Sequence, residues 1–236
     1  MTERTELTAV VYDAAEVVVS EGGKTPLHRI EDAAVAVEDG RVAAVGPTDE
    51  VTREYPPENA QYAVDATGRS VIPGFVDSHT HACFAGDRSD EFEAKLQGKT
   101  YQDIMAEGGG ILRTVRATRE ADDDELLGNL LSHLDTMLSH GSTTVEVKSG
   151  YGLDTETELR MLDVIHRADE QHPVDVVPTF MGAHAVPEDR DTDDYVEEVV
   201  SDQLPAVETQ GVAEFCDVFF EEGAFSVDPS RRVLEA

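Results

Sequence analysis

The apolar positions change period near residue 70. Before it they fall in short runs separated by polar turns: Thr8 to Tyr12, Glu16 to Val19, Ala33 to Glu38, Arg41 to Gly46 and Tyr62 to Asp65. The stretch AAVAVEDGRVAAVG joins two of these runs through Asp39-Gly40, a dipeptide that suits a tight hairpin turn. Residues 1–70 therefore read as a small β domain. From Val71 the texture becomes strand, long helix, strand. The strand-like runs are Val71 to Phe75, Thr143 to Val147, Val174 to Phe180 and Cys216 to Phe220; the helical patterns between them are Asp123 to Ser139, Thr155 to Gln171 and Asp193 to Gln210. Asp154 is placed to cap the second helix, with Glu156 and Glu158 in its first turn, where the helix dipole favours negative charge.

Strands alternating with helices imply βαβ units and a parallel sheet. Polar and ionisable residues gather at the C-terminal ends of these strands, the face on which a (β/α)8 barrel carries its active site. The expected fold class is therefore α/β, with residues 71–236 forming about the first four βα units of such a barrel, against the eight that close one. Four strands alone would leave open apolar edges that invite pairing with another chain.

Composition narrows the function. Fifty Asp and Glu face 18 Lys and Arg, a net charge of −32, and this argues against a nucleic-acid partner, which needs a basic footprint. Only four of the basic residues are Lys, and the carboxylates are scattered along the whole chain. Dispersed acidity of this kind points to a salt-loving, halophile-like source, where the Debye length shrinks to about 3 Å at 1 M salt; an acidic enzyme of an ordinary cell is the alternative. Hydrophobic residues make up 40% of the chain, enough to build a core. Cys83 and Cys216 are too few for a disulfide framework, no apolar run approaches the ~20 residues of a membrane span, and MTERTELTAV lacks the basic and apolar regions of a secretion signal. The expectation is a cytoplasmic protein with no membrane partner.

The chemistry starts at VIPGFVDSHTH. In a strand His79 and His81, at i and i+2, project from the same side about 6 to 7 Å apart, close enough to share one metal. Asp77 is next on that side and can orient a histidine as a hydrogen-bond acceptor. Gly108-Gly109-Gly110 superficially suggests a phosphate cradle, but no Lys-Ser/Thr follows, so it reads as a turn. Cys83 reads as a packing residue, and His28, His133, His140, His166 and His172 lack partners at ligand spacing.

The segment PGFVDSHTH resembles the first-strand signature of the metal-dependent amidohydrolase superfamily. Its surroundings are similar to the imidazolonepropionases: HACFAGDRSDEFEAKLQGKTYQDIMAEGGGI, TTVEVKSGYGLDTETELRML, VDVVPTFMGAHAVP and EFCDVFFEEGAFS. These motifs span about two thirds of the chain. The resemblance implies a small β-sandwich beside the barrel, and hydrolysis of the ring amide of 4-imidazolone-5-propanoate to N-formimidoyl-L-glutamate in histidine degradation. It makes His79 and His81 ligands of one zinc or iron ion, which lowers the pKa of water towards about 7 and polarises the carbonyl under attack. It makes Arg88, Tyr151 and His184 substrate contacts, with Tyr101 a weaker candidate. A guanidinium fork fits the propanoate carboxylate, a tyrosine offers a neutral hydroxyl beside an apolar ring, and a histidine can stabilise charge developing on the ring carbonyl. Lys148, which some relatives carbamylate to bridge two metals, is expected to be structural, leaving one metal.

The family pattern also calls for a third metal-binding His, a catalytic Glu and a metal-binding Asp. None of these can be carried onto this chain, so no catalytic residue is identifiable before Ala236. The expectation is a gene fragment or one half of a split enzyme completed by a C-terminal chain, inactive alone, with a homodimer for the full-length form. Another amidohydrolase-type cyclic amidase or deaminase, or a non-catalytic remnant, is the alternative.

Overall fold

The structure is a computed structural model and describes residues 6–20, 27–100, 103–104, 107–221 and 224–236. The chain forms two compact units, Met1–Pro73 and Gly74–Ala236.

In the first unit, β1 (Leu7–Val19), β2 (His28–Glu38), β3 (Arg41–Pro47), β4 (Tyr62–Asp65) and β5 (Ser70–Val71) build one five-stranded sheet. The Asp39-Gly40 turn has φ of 48° and 73°, the left-handed pair a tight hairpin needs. The sequence runs Thr8–Tyr12 and Glu16–Val19 are one strand rather than two. A register shift and a positive φ at Asp13 bend β1 between them, so its first half pairs with β4 and its second with β5. Helix α1 (Thr48–Glu54) buries Val51 against Val10, Ala34 and Ala36. The sequence pattern did not reveal α1, because a helix of two turns shows too little periodicity.

In the second unit, β6 (Phe75–Thr80), β7 (Ser142–Lys148), β8 (Asp175–Ala183) and β9 (Phe215–Val218) form a parallel sheet in sequential order. Sequential parallel neighbours are the mark of a singly wound barrel rather than a doubly wound sheet, and four such strands make half of one. The first barrel strand lies later than the run Val71 to Phe75 suggested. Val71 pairs with β1 in the other unit, and Pro73, which cannot donate to a ladder, separates the two sheets. His79 consequently stands inside β6, not past its end.

The helices α4 (Asp123–Ser139) and α5 (Thr155–Gln171) match their sequence patterns, and the Asp154 carboxylate caps α5 by accepting from Thr157 N at 2.8 Å. Leu126, Leu130, Leu134, Met161, Leu162 and Ile165 from these helices pack on Val145, Val147 and Val176 of the sheet. The pattern Asp193 to Gln210 is not one uniform helix: α6 (Thr192–Glu198) and α7 (Leu204–Gln210) flank a π-helical stretch, Val199–Gln203, beside Pro205. Helices α2 (Ser89–Leu96) and α3 (Ile111–Glu120) lie between β6 and α4, and α8 (Val227–Glu235) closes the order. No helix among the described residues is long and apolar enough to cross a membrane.

Candidate functional site

The C-terminal ends of β6, β7 and β8 bring together four of the predicted residues. His79 and His81 stand with ring centroids 5.4 Å apart. The buried Thr80 between them faces the other way and ties β6 to β7, its hydroxyl donating to Glu146 O at 2.7 Å and its N–H to Glu146 Oε2 at 3.2 Å. His184, just past β8, stacks on His81 at 4.5 Å, and Tyr151, three residues past β7, lies 6.0 Å from His81 and 5.1 Å from His184. Phe219 meets His184 edge-on at 6.0 Å.

Burial keeps the two inner rings neutral. It pushes the His81 imidazole down to about 4, helped by the neighbouring His184, His79 and Lys148, and it also lowers His184. The His184 Nδ1 donates to Gly150 O at 2.9 Å, which leaves Nε2 as the bare nitrogen. Burial raises the Tyr151 hydroxyl, so it stays protonated at neutral pH.

Arg88 opens from the other side of Tyr151. The two share a cleft of about 610 Å³ with Phe84, Phe92 and His133. Arg88 Nε donates to Glu91 Oε2 at 2.9 Å, so the outer guanidinium nitrogens remain to face the cleft. Buried Glu91 also accepts from Gly110 N at 2.9 Å. The glycine triplet thus has a structural role: a Cβ on Gly109 would lie 2.8 Å from Glu91 Oε1 and 2.7 Å from the Ile104 side chain. Tyr101 lies outside the described residues.

Asp77 and His133 differ in standing from what spacing alone suggested, while the ion pairs of Lys148 fit its structural reading. Asp77 Oδ1 accepts from the backbone N of His79 at 3.4 Å, and no bond from a histidine ring to it is found among the described residues. Lys148 sits between Glu146 at 2.5 Å and Asp217 at 2.9 Å, a pairing that needs its ammonium and would repel a carbamate. His133, unremarkable on its helix, reaches the cleft wall: it stacks on Phe84 at 5.0 Å and its Nδ1 donates to Ala82 O at 2.9 Å. No spacing rule could have found it, because α4 and the loop after β6 meet only in the folded unit. The Cys83 thiol, fully buried and pushed up to about 12, is inert packing.

The two histidines fit a metal ion as a pair. Their rings are close, His81 is neutral, and its buried Nδ1 has no hydrogen-bond partner among the described residues. Among those residues no group of three or more His, Cys, Asp or Glu is assembled around one point, so the pair alone falls short of the three protein ligands usual in a catalytic zinc site.

Residues 63–212 match the model of the amidohydrolase family. The chain belongs to the amidohydrolase family. Within it, residues 33–57 match an imidazolonepropionase-like composite domain of bacteria. The chain is 73% identical to the imidazolonepropionase of Haloarcula marismortui over 98% of its own length and 56% of the relative's. It is 63% identical to that of Halobacterium salinarum, over 98% and 55%. The Symbiobacterium thermophilum imidazolonepropionase is 51% identical, over 96% and 55%. The chain thus spans about half the length of the curated relatives it matches. Among solved amidohydrolase-type folds, a triazine hydrolase from Arthrobacter aurescens superposes with a TM-score of 0.59 at 15% identity, covering 89% of this chain and 46% of that one. The guanine deaminase of E. coli gives 0.55 at 18%, covering 90% and 45%. A zinc complex of the related atrazine chlorohydrolase TrzN gives 0.53 at 15%, covering 89% and 46%. These likenesses confirm the half-barrel architecture.

Proposed function

We propose that this chain supplies the metal-binding histidine pair and the substrate pocket of an imidazolonepropionase, which opens the ring amide of 4-imidazolone-5-propanoate to give N-formimidoyl-L-glutamate. The observation that carries the reading is the convergence of His81, Tyr151 and His184 at the strand ends, with Tyr151 also lining one cleft with Arg88. His79 and His81 would hold one zinc or iron ion, which when bound acidifies water and polarises the carbonyl under attack. The Arg88 fork pairs with the propanoate carboxylate, and Glu91 holds the Arg88 Nε so that the fork is pre-aimed. Tyr151 packs its ring on the planar heterocycle. His184 would present its Nε2 side to the ring carbonyl; with Nδ1–H held by Gly150 O, only a proton taken up at Nε2, making the imidazolium, would stabilise charge growing on the oxygen.

The pairing of Lys148 with two carboxylates supports a single metal. The remaining ligands and the proton-handling carboxylate would come from further βα units, in the same polypeptide or a complementing one, and a homodimer is the expected assembly of the complete barrel. The small β domain over residues 1–70 would be one part of a composite β-sandwich. The dispersed charge of −32 supports a salt-rich cytoplasm as the setting.

Calorimetric titration with imidazole-4-propanoate, a stable analogue, tests the pocket. We expect binding that Arg88→Ala weakens by about tenfold or more, since a charged hydrogen-bonded pair is worth roughly 1.5–3 kcal/mol. Equal affinity for wild type and Arg88→Ala would refute the assignment.

A further inference from the structure

We propose that Glu158 is a positioning residue for this site: its carboxylate folds the loop after β7 so that the Gly150 carbonyl grips His184 and Tyr151 stands in the cleft. The proposal rests on the reading that His184 and Tyr151 meet the substrate.

Glu158 lies in the first turn of α5 and is completely buried. A carboxylate in such a place is costly unless several donors surround it. Here Oε1 accepts from Gly152 N and Leu153 N, each at 2.8 Å, and Oε2 accepts from Gly150 N at 2.9 Å. The Ser149 hydroxyl donates as well, while its oxygen accepts from Met181 N of β8 at 2.9 Å. Four donors from five successive residues thus converge on one side chain.

The loop would not hold this shape unaided. Leu153 has a φ of +55°, a conformation that a non-glycine residue keeps only where the surroundings over-determine it, and Gly150 has one of +100°, which glycine adopts without strain but other residues rarely do. The fit is also tight. A Cβ on Gly150 would lie 2.8 Å from Met181 O and 3.0 Å from the His184 Cβ, and one on Gly152 would lie 2.8 Å from Glu158 Oε1.

The consequence reaches the site through one atom. Gly150 gives its N–H to Glu158 and its carbonyl to His184 Nδ1 at 2.9 Å. A carbonyl only accepts, so the proton of His184 is fixed on Nδ1 and Nε2 faces the site bare. Tyr151 is the next residue, so the same clamp sets its ring. Motion of the Glu158 carboxylate therefore frees both groups at once.

The test uses the chain as it is, with its histidines labelled by 15N, and reads the imidazole tautomers at neutral pH together with amide exchange. In the wild type we expect His184 as a single Nδ1–H tautomer, assigned by its disappearance in His184→Ala. Glu158→Gln keeps the volume but puts an NH₂ where one oxygen accepted, so one side of the clamp must open. We expect a mixture of His184 tautomers, and exchange of the Gly150, Gly152 and Leu153 amides about tenfold faster relative to β8. Ile165→Val, a mild core change on the same helix, should alter neither. Should Glu158→Gln fail to fold, Ser149→Ala removes one donor and should shift the same signals less. A single Nδ1–H tautomer retained in the altered protein, or acceleration spread evenly over the whole unit, overturns the proposal. The substrate reading fails separately: undiminished binding of imidazole-4-propanoate by His184→Ala would refute it while leaving the tautomer result in place.

Discussion

Replacing Lys148 by methionine strips the cation from the interior of the half-barrel and leaves two carboxylates facing each other. Its Nζ lies 2.5 Å from Glu146 and 2.9 Å from Asp217, and the side chains of Lys148, Glu146 and Asp217 are 5%, 12% and 37% exposed. Removing one partner of a buried pair costs about 3–5 kcal/mol. Asp217 is more than a third exposed, so its pair is screened and adds about 1 kcal/mol or less. The methionine recovers part of the loss by packing its chain in the same space. The balance is a loss of about 3 kcal/mol at neutral pH, carried mainly by Glu146. Because the chain has two units, a single unfolding free energy is ill defined. Native-state hydrogen exchange on β7 and β8 is the suitable assay, and this loss corresponds to roughly 100-fold faster exchange. The pH dependence gives a second reading. Burial alone would raise the Asp217 carboxyl, but the hydrogen bond from Lys148, that from Val218 N and the Lys148 charge together hold the group below the ordinary carboxylate range. That share of stability is present above the unfolded pKa of about 3.9 and lost as pH falls through the lower folded value. At every pH the variant lacks the part of it that Lys148 supplies, so the gap between the two proteins should narrow in acid. Exchange accelerated less than about fivefold, or a gap that widens in acid, would refute the reasoning.

Further outcomes follow from the same geometry. His81 is held near 4 against about 6.5 in an unfolded chain, so the unfolded state takes up the proton first. Stability of the second unit should therefore decline as pH falls from about 6.5 to about 4 and then level, and His81→Gln should flatten that segment of the urea-midpoint profile. Leu162→Ala, at a fully buried position on α5, should cost about 3–5 kcal/mol by hydrogen exchange of the same sheet; a cost below about 1 kcal/mol would mean the helix is not seated as described. Zinc titrated into the chain should bind at one site and be lost in His79→Ala, and a second equivalent of comparable affinity would contradict the single-metal reading. Lowering potassium chloride from molar to about 0.1 M should lower the melting temperature, because the repulsion among carboxylates loses its screening; an unchanged value would argue against a salt-adapted surface.

The periodic elements were legible because their signals are local. The 3.6-residue pattern of α5 and its Asp154 cap, the Asp39-Gly40 turn and the β7 run all act within a few residues, and the observed elements match them. The boundary at Val71 was misread for the converse reason: whether a valine pairs with β1 or begins β6 depends on partners more than fifty residues away. The motif His79-Thr80-His81 could be seen in the primary structure, and the family likeness pointed to Arg88, Tyr151 and His184. Only folding put His184 against His81 and turned its Nδ1 to Gly150, because these contacts join different strand ends. The roles of Glu91, His133 and Glu158 also came from tertiary structure alone. A glutamate in a helix's first turn is unremarkable in sequence, and it becomes the clamp of a loop only when burial removes water and leaves four donors nowhere else to turn.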